Sequence, residues 1–134
     1  MIRILLADDH RPVRKALRAT LEECGGWQVC AEASNGREAV ELALQFKPDI
    51  AILDLAMPEL NGIEATREIK QALPEVDILI FTMYDSQEMV LSAREAGARG
   101  LVRKSSNESE ILEAIKAILR DRPGDSTTSR SPSV

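Results

Sequence analysis

Two kinds of apolar segment alternate along the chain, and that alternation limits its folding options more than any other feature. The first kind is short and nearly continuous: Ile2–Ala7, Gln28–Ala33, Ile50–Leu53, Ile78–Phe81 and Gly100–Val102. Runs like these suit strands buried on both faces of a parallel sheet. The Gln28–Ala33 run is less apolar and alternates, as an edge strand does. The second kind is longer, with apolar residues three or four apart, and reads as amphipathic helix. Val13, Leu17, Leu21 and Cys24 mark the first of these; Ala39, Leu42, Ala43 and Phe46 the second. Ile63, Ile69 and Leu73 mark the third, and Met89, Val90, Ala93 and Ala96 the fourth. Ile111, Leu112, Ile115, Ile118 and Leu119 mark the fifth.

Punctuation between the segments agrees. Asn35, Asn61, Asp85 and Asn107 are each followed three residues on by Glu, the spacing of a capping box. Pro12 suits a first helical turn, where its missing N–H costs nothing. Pro48 and Pro74 close the second and third helices, and Gly97 follows the fourth. Strands alternating with helices give an α/β fold, (βα)5, with right-handed crossovers and helices on both faces of a parallel sheet. About 120 of the 134 residues are used in this way. Residues 121–134 are polar and rich in Ser, Thr and Pro, and are expected to be a disordered tail or a truncated linker.

Composition excludes several roles. Acids outnumber bases by 22 to 17, for a net charge of −5, which argues against a chain that grips nucleic acid by a broad basic surface. No apolar run approaches the roughly 20 residues of a membrane helix, and the first residues lack the h-region and cleavage site of a signal peptide. Cys24 and Cys30 form no disulfide framework and lack zinc-ligand spacing; they read as core fillers. Trp27 is expected to pack at the base of the sheet, and His10 to be a solvated loop residue. The picture is a reduced, cytoplasmic domain without membrane attachment.

Open α/β sheets bind ligands beyond the carboxyl ends of their strands. Strand one ends at Asp8 and Asp9, strand three at Asp54 and strand four at Thr82, and strand five is followed by Lys104. Only strand two, ending at Ala33-Ser34, offers little. Any one of these residues alone is more often a turn or cap; five suitable ones at four strand ends form a pattern. Three neighbouring carboxylates repel and need compensation. One Lys leaves about two negative charges, and the oxygen-rich set favours Mg²⁺, with Mn²⁺ as a substitute, over zinc. A metal and a Lys together can clamp a transferring phosphoryl group, and Asp is a known phosphoryl-accepting nucleophile.

These residues, with Leu53-Asp54-Leu55-Ala56-Met57-Pro58-Glu59-Leu60-Asn61-Gly62 between them, resemble the receiver domain of bacterial two-component response regulators across residues 2–120. Asp8-Asp9-His10, Met57–Ala65, Phe81-Thr82-Met83-Tyr84-Asp85 and Lys104-Ser105-Ser106 are similar to the NarL/FixJ branch, which usually carries a LuxR-type DNA-binding domain. The resemblance implies a flavodoxin-like sheet of order 2-1-3-4-5, with helices one and five on one face and two, three and four on the other. Residues 1–120 are then the receiver domain. It implies that Asp54 is the phosphoacceptor, served by a sensor histidine kinase. Asp9 binds Mg²⁺ directly, Asp8 supports it, and the Ala56 backbone carbonyl supplies a further ligand. Lys104 pairs with the acyl phosphate, and Thr82 bonds the phosphoryl group and reports it outward. Pro58 and Gly62 shape the loop after Asp54.

The output surface in the family is the fourth helix, fifth strand and fifth helix, through which homodimers also form. The chain would catalyse only its own phosphorylation and dephosphorylation, and would not itself bind DNA. It reads as a stand-alone receiver or, preferably, the N-terminal piece of a longer regulator. Leu101 stands where the family often has Tyr or Phe, which bears on the switch coupled to Thr82. Met83 stands where a small residue is common. Two other readings compete: a Mg²⁺-dependent phosphohydrolase using Asp54, disfavoured by Ala56 where a second Asp is usual, and a receiver-like module that works without phosphate.

Overall fold

The computed structural model describes residues 1–83, 86–104 and 108–121. The elements run β1 (Ile2–Ala7), α1 (Arg11–Glu22), β2 (Trp27–Ala33), α2 (Gly36–Phe46), β3 (Ile50–Leu53), α3 (Gly62–Ala72), β4 (Asp77–Thr82), α4 (Gln87–Ala96), β5 (Gly100–Arg103) and α5 (Glu108–Arg120). All four strand pairings are parallel, in the order β2-β1-β3-β4-β5. The less apolar run is indeed an edge strand. β1, β3 and β4 take the centre, where Ile4, Leu5, Ile50, Leu53, Ile78 and Ile80 have no solvent exposure.

The period of two along each strand splits the core into two layers. Leu5, Ala51, Leu53, Ile78 and Ile80 face Ala39, Val40 and Ala43 of α2, Ile69 of α3 and Ala93 of α4. Ile4, Leu6, Ile50, Ile52 and Leu79 face Leu17 and Leu21 of α1 and Ile111, Ile115 and Ile118 of α5. The helices therefore divide as expected, α1 and α5 against α2, α3 and α4. On α4 the buried residues are Ala93 and Ala96, so it meets the sheet through small side chains while Leu91 stays 60% exposed.

Two of the expected N-caps form where the spacing predicts. Asn35 accepts from the Glu38 N–H at 2.8 Å and Asn61 from the Glu64 N–H at 2.9 Å. Glu38 reaches back to the N–H of Ser34 at 2.7 Å, one residue before the cap. The start of α4 differs from expectation. Its cap is Ser86, whose hydroxyl accepts from the Met89 N–H at 3.2 Å. Both Asp85 and Ser86 are cap formers, and the Glu three residues after Asp85 favoured the wrong one. Asp85, Asn107 and residues 122–134 lie outside the described residues, and with them the expectations placed there.

Trp27 opens β2 opposite Ile2 at the base of the sheet, packed against the α1/α5 layer. The cysteines are not core fillers: both are half-buried. Cys24 lies beyond the end of α1, and Cys30 sits where the β1–β2 register shifts, so neither points squarely into a packed layer. No helix among the described residues is long and apolar enough to cross a membrane.

Candidate functional site

The carboxyl ends of β1, β3, β4 and β5 converge, as the parallel sheet requires. Backbone bonds fix their heights. The Asp8 N–H donates to Ala33 at 3.0 Å, the Asp54 N–H to Ala7 at 2.9 Å, and the Lys104 N–H to Thr82 at 2.7 Å. Asp8, Asp54 and Thr82 are buried, at 5%, 4% and 0% exposure; Asp9 is exposed. Lys104, drawn in from β5, bridges two acids: its Nζ lies 2.5 Å from Asp8 Oδ2 and 3.1 Å from Asp54 Oδ2.

Ligand atoms of Asp8, Asp9, His10 and Asp54 lie within 4.8 Å of one another. Three carboxylates against one ammonium leave the pocket negative. Two of those acids are buried, and two further positive charges would offset the excess. The donor set fits a hard divalent cation, which prefers carboxylate oxygen and keeps sites open for other ligands. His10 is not a bystander. Its side chain is 66% exposed, yet Nδ1 lies 3.2 Å from Asp8 Oδ1 and from Asp9 Oδ1, and the His10 backbone N–H donates to Asp8 Oδ1 at 2.8 Å.

Burial pushes the Asp54 carboxyl above the usual aspartate range; Lys104 pulls the other way without cancelling it, and the Asp8 charge adds to the rise. For Lys104, burial pulls its pKa down, but the hydrogen bond to Asp8 and the charge of Asp54 outweigh that and raise it. A folded carboxyl with a raised pKa holds its proton to higher pH than the unfolded one. It therefore costs the fold stability as pH rises from the ordinary aspartate pKa through the raised one. The Asp54→Asn variant lacks that cost, and Lys104 keeps Asp8. Urea unfolding should show the variant gaining on the wild type from about pH 4 upward and ahead of it at neutral pH. A constant or shrinking difference would contradict the assignment of Asp54 as the uncompensated charge.

The loop after Asp54 is pinned on both sides. Gly62 N–H donates to Leu55 at 2.8 Å and Leu60 N–H to Pro58 at 2.7 Å, while Glu59 takes a positive φ of 72°. Ala56 is exposed on this loop, and its backbone hydrogen-bonds the Asp54 carboxylate. From the other side the Gly36 N–H donates to Pro58 at 3.3 Å. A Cβ on Gly36 would lie 1.7 Å from the Leu60 carbonyl oxygen. The first residue of α2, given no role from sequence, thus supplies the glycine against which the loop rests. Leu101 is half-buried beside the α2/α3/α4 layer, two residues before the β5 position that pairs with Thr82. Met83 is 63% exposed.

A model of the response regulator receiver domain matches residues 4–116. The chain belongs to the response regulator receiver family. The transcriptional regulatory protein LiaR of Bacillus subtilis is 41% identical over 123 residues, 92% of this chain and 58% of that protein. The chemotaxis protein CheY of Thermotoga maritima is 38% identical over 116 residues, covering 87% of this chain and 96% of that one. A two-component response regulator of the LuxR family from Aurantimonas sp. SI85-9A1 superimposes with a TM-score of 0.86 at 47% identity, over 90% of this chain and 86% of that chain. The NarL/LuxR branch read from the motifs holds. This receiver spans just over half the length of LiaR and similar regulators. Its place among receivers does not favour the phosphohydrolase reading.

Proposed function

We propose that this receiver takes a phosphoryl group onto Asp54 from a sensor histidine kinase and passes the event to a transcriptional output domain. The observation that carries the reading is Asp54 itself: a buried carboxylate beside Lys104, Asp8 and Asp9, on the rim of a sheet whose family is a phosphorylation switch. Asp54 Oδ attacks phosphorus as the bond to the kinase's imidazole nitrogen breaks, and the imidazole leaves with the electron pair. Lys104, already poised on Asp54, pairs with the transferred group's oxygens. The Thr82 hydroxyl bonds the phosphoryl group from β4. Asp8, Asp9, Asp54 and the Ala56 carbonyl would hold Mg²⁺, or Mn²⁺ in its place. The bound ion supplies positive charge for the phosphoryl oxygens. The catalysis is confined to the chain's own phosphorylation and its hydrolysis. The negative balance and the transcriptional roles in relatives' names support this reading, in which DNA contact belongs to another part of the regulator and the work is cytoplasmic.

The readout runs from Thr82 to the α4–β5–α5 surface, with a homodimer through that surface as one output. Leu101 is the follower in this relay. Moving it inward gains apolar contact and no hydrogen bond, so its two positions differ by only a few kcal/mol and both are populated before phosphorylation. Chemical shifts around Thr82, Leu101 and α4, with and without beryllofluoride and Mg²⁺, test this. Exchange broadening without beryllofluoride and a modest shift on adding it are expected, and Leu101→Tyr should sharpen the switch. Sharp, well-separated signals in both states, or a Leu101→Tyr pattern identical to wild type, would contradict it.

A further inference from the structure

Behind the acidic pocket, on the α1 side, lies a polar chain that the phosphoryl chemistry leaves unused. Arg14 sends Nη1 to the Asp8 carbonyl oxygen at 2.7 Å and Nε to Glu32 Oε1 at 3.0 Å. Glu32, on β2 opposite Leu6, takes Arg18 Nη1 on its other oxygen at 2.7 Å. Arg18 in turn reaches Glu22 at 3.4 Å, and Glu22 accepts the Val29 N–H at 3.1 Å. Arg14 and Glu32 have side chains only 14% and 17% exposed, so water is poorly placed to replace either partner. Burial works against the Glu32 charge, but Arg18 and Arg14 outweigh it and hold the carboxyl below its ordinary range. Arg14 also lines the small cavity beneath Asp8 and Asp54.

We propose that Arg14 is a positioning residue of the acidic pocket, holding the Asp8–Asp9 turn by the Asp8 carbonyl and braced from β2 by Glu32. The turn leaves β1 and must present one buried and one exposed carboxylate to the same point. His10 meets both carboxylates from within the turn, and Arg14 holds the turn's backbone from α1. A planar guanidinium can serve the carbonyl and the carboxylate at once from a fixed fork; an ammonium cannot match both directions. Partners behind metal-holding groups commonly shift metal affinity by an order of magnitude or more. The proposal rests on the reading of Asp8, Asp9 and Asp54 as the Mg²⁺ and phosphate site.

The test titrates Mg²⁺ against the receiver by calorimetry and follows phosphate uptake from acetyl phosphate by intact mass, for Arg14→Ala, Arg14→Lys, Glu32→Gln and Asp9→Asn. Arg14→Ala should raise the Mg²⁺ dissociation constant about tenfold and Glu32→Gln about threefold. The Mg²⁺ needed for half-maximal uptake should rise in step while the rate at saturating Mg²⁺ stays within about twofold. Arg14→Lys should restore little. Glu32→Gln preserves shape and keeps the test open if Arg14→Ala folds poorly. A role confined to stability would lower the folded fraction and leave the half-saturating Mg²⁺ in place, which would overturn the proposal, as would full rescue by Arg14→Lys. If Asp9→Asn weakens Mg²⁺ and the Arg14 variants do not, this proposal alone falls. If Asp9→Asn also leaves Mg²⁺ binding untouched, the site reading falls and this one with it.

Discussion

Asp54→Asn should take up no measurable phosphate from acetyl phosphate, a loss on the order of 10⁴-fold or more, while the sheet remains folded. The nucleophile is an anionic oxygen held by Lys104 on one side and the Ala56 backbone on the other, and a neutral amide replaces it with a poor donor of electrons. Neighbouring acids do not substitute, because neither Asp8 nor Asp9 sits at the end of β3 where the Ala56 backbone and Lys104 flank the carboxylate. Intact mass after incubation with acetyl phosphate and Mg²⁺ reads the outcome. Far-ultraviolet circular dichroism of the same sample shows whether the fold survives. A variant that gains phosphate at a comparable rate would remove Asp54 from the mechanism.

The second large effect is steric. Gly62→Ala should destabilise the domain by about 3 kcal/mol or more. At Gly62 a Cβ would stand 2.3 Å from the Asp54 carbonyl oxygen and 2.9 Å from Leu55 Cα. These are backbone atoms of β3's end, and they cannot give way without moving Asp54. Gly36→Ala meets the Leu60 carbonyl even more closely and should cost a similar amount. Neither glycine has a positive φ; what each supplies is room for two backbones to approach. Thermal unfolding should show a drop on the order of 10 °C for either variant. A midpoint within about 2 °C of wild type would mean that the loop after Asp54 has slack.

The strands were legible because a parallel sheet covered on both faces demands unbroken apolar runs, and few other structures do. The acidic rim was legible because strand ends in such a sheet share one edge, so residues far apart in the chain can be placed together from order alone. What escaped was set by contacts between elements. Nothing next to Gly36 in the chain announces that Leu60 will press on it. Arg14 looks like any solvated charge of a helix until β2 brings Glu32 beside it. The cap of α4 was misplaced because two adjacent residues could each do the job, and only the backbone turn selects Ser86. His10 is exposed, as expected of a solvated loop residue, and what its position in the chain did not announce is that its ring meets both neighbouring carboxylates.

Phosphate uptake on Asp54 is tested most directly by locating the phosphate in the chain. After incubation with acetyl phosphate and Mg²⁺, borohydride reduction converts an aspartyl phosphate to homoserine, and peptide mass mapping finds the altered residue. The change should fall on Asp54 alone, disappear when a chelator removes Mg²⁺, and be lost if the sample is first treated with hydroxylamine. Phosphate on His10 or on a serine or threonine, or labelling of Asp54 that persists without divalent metal, would contradict it.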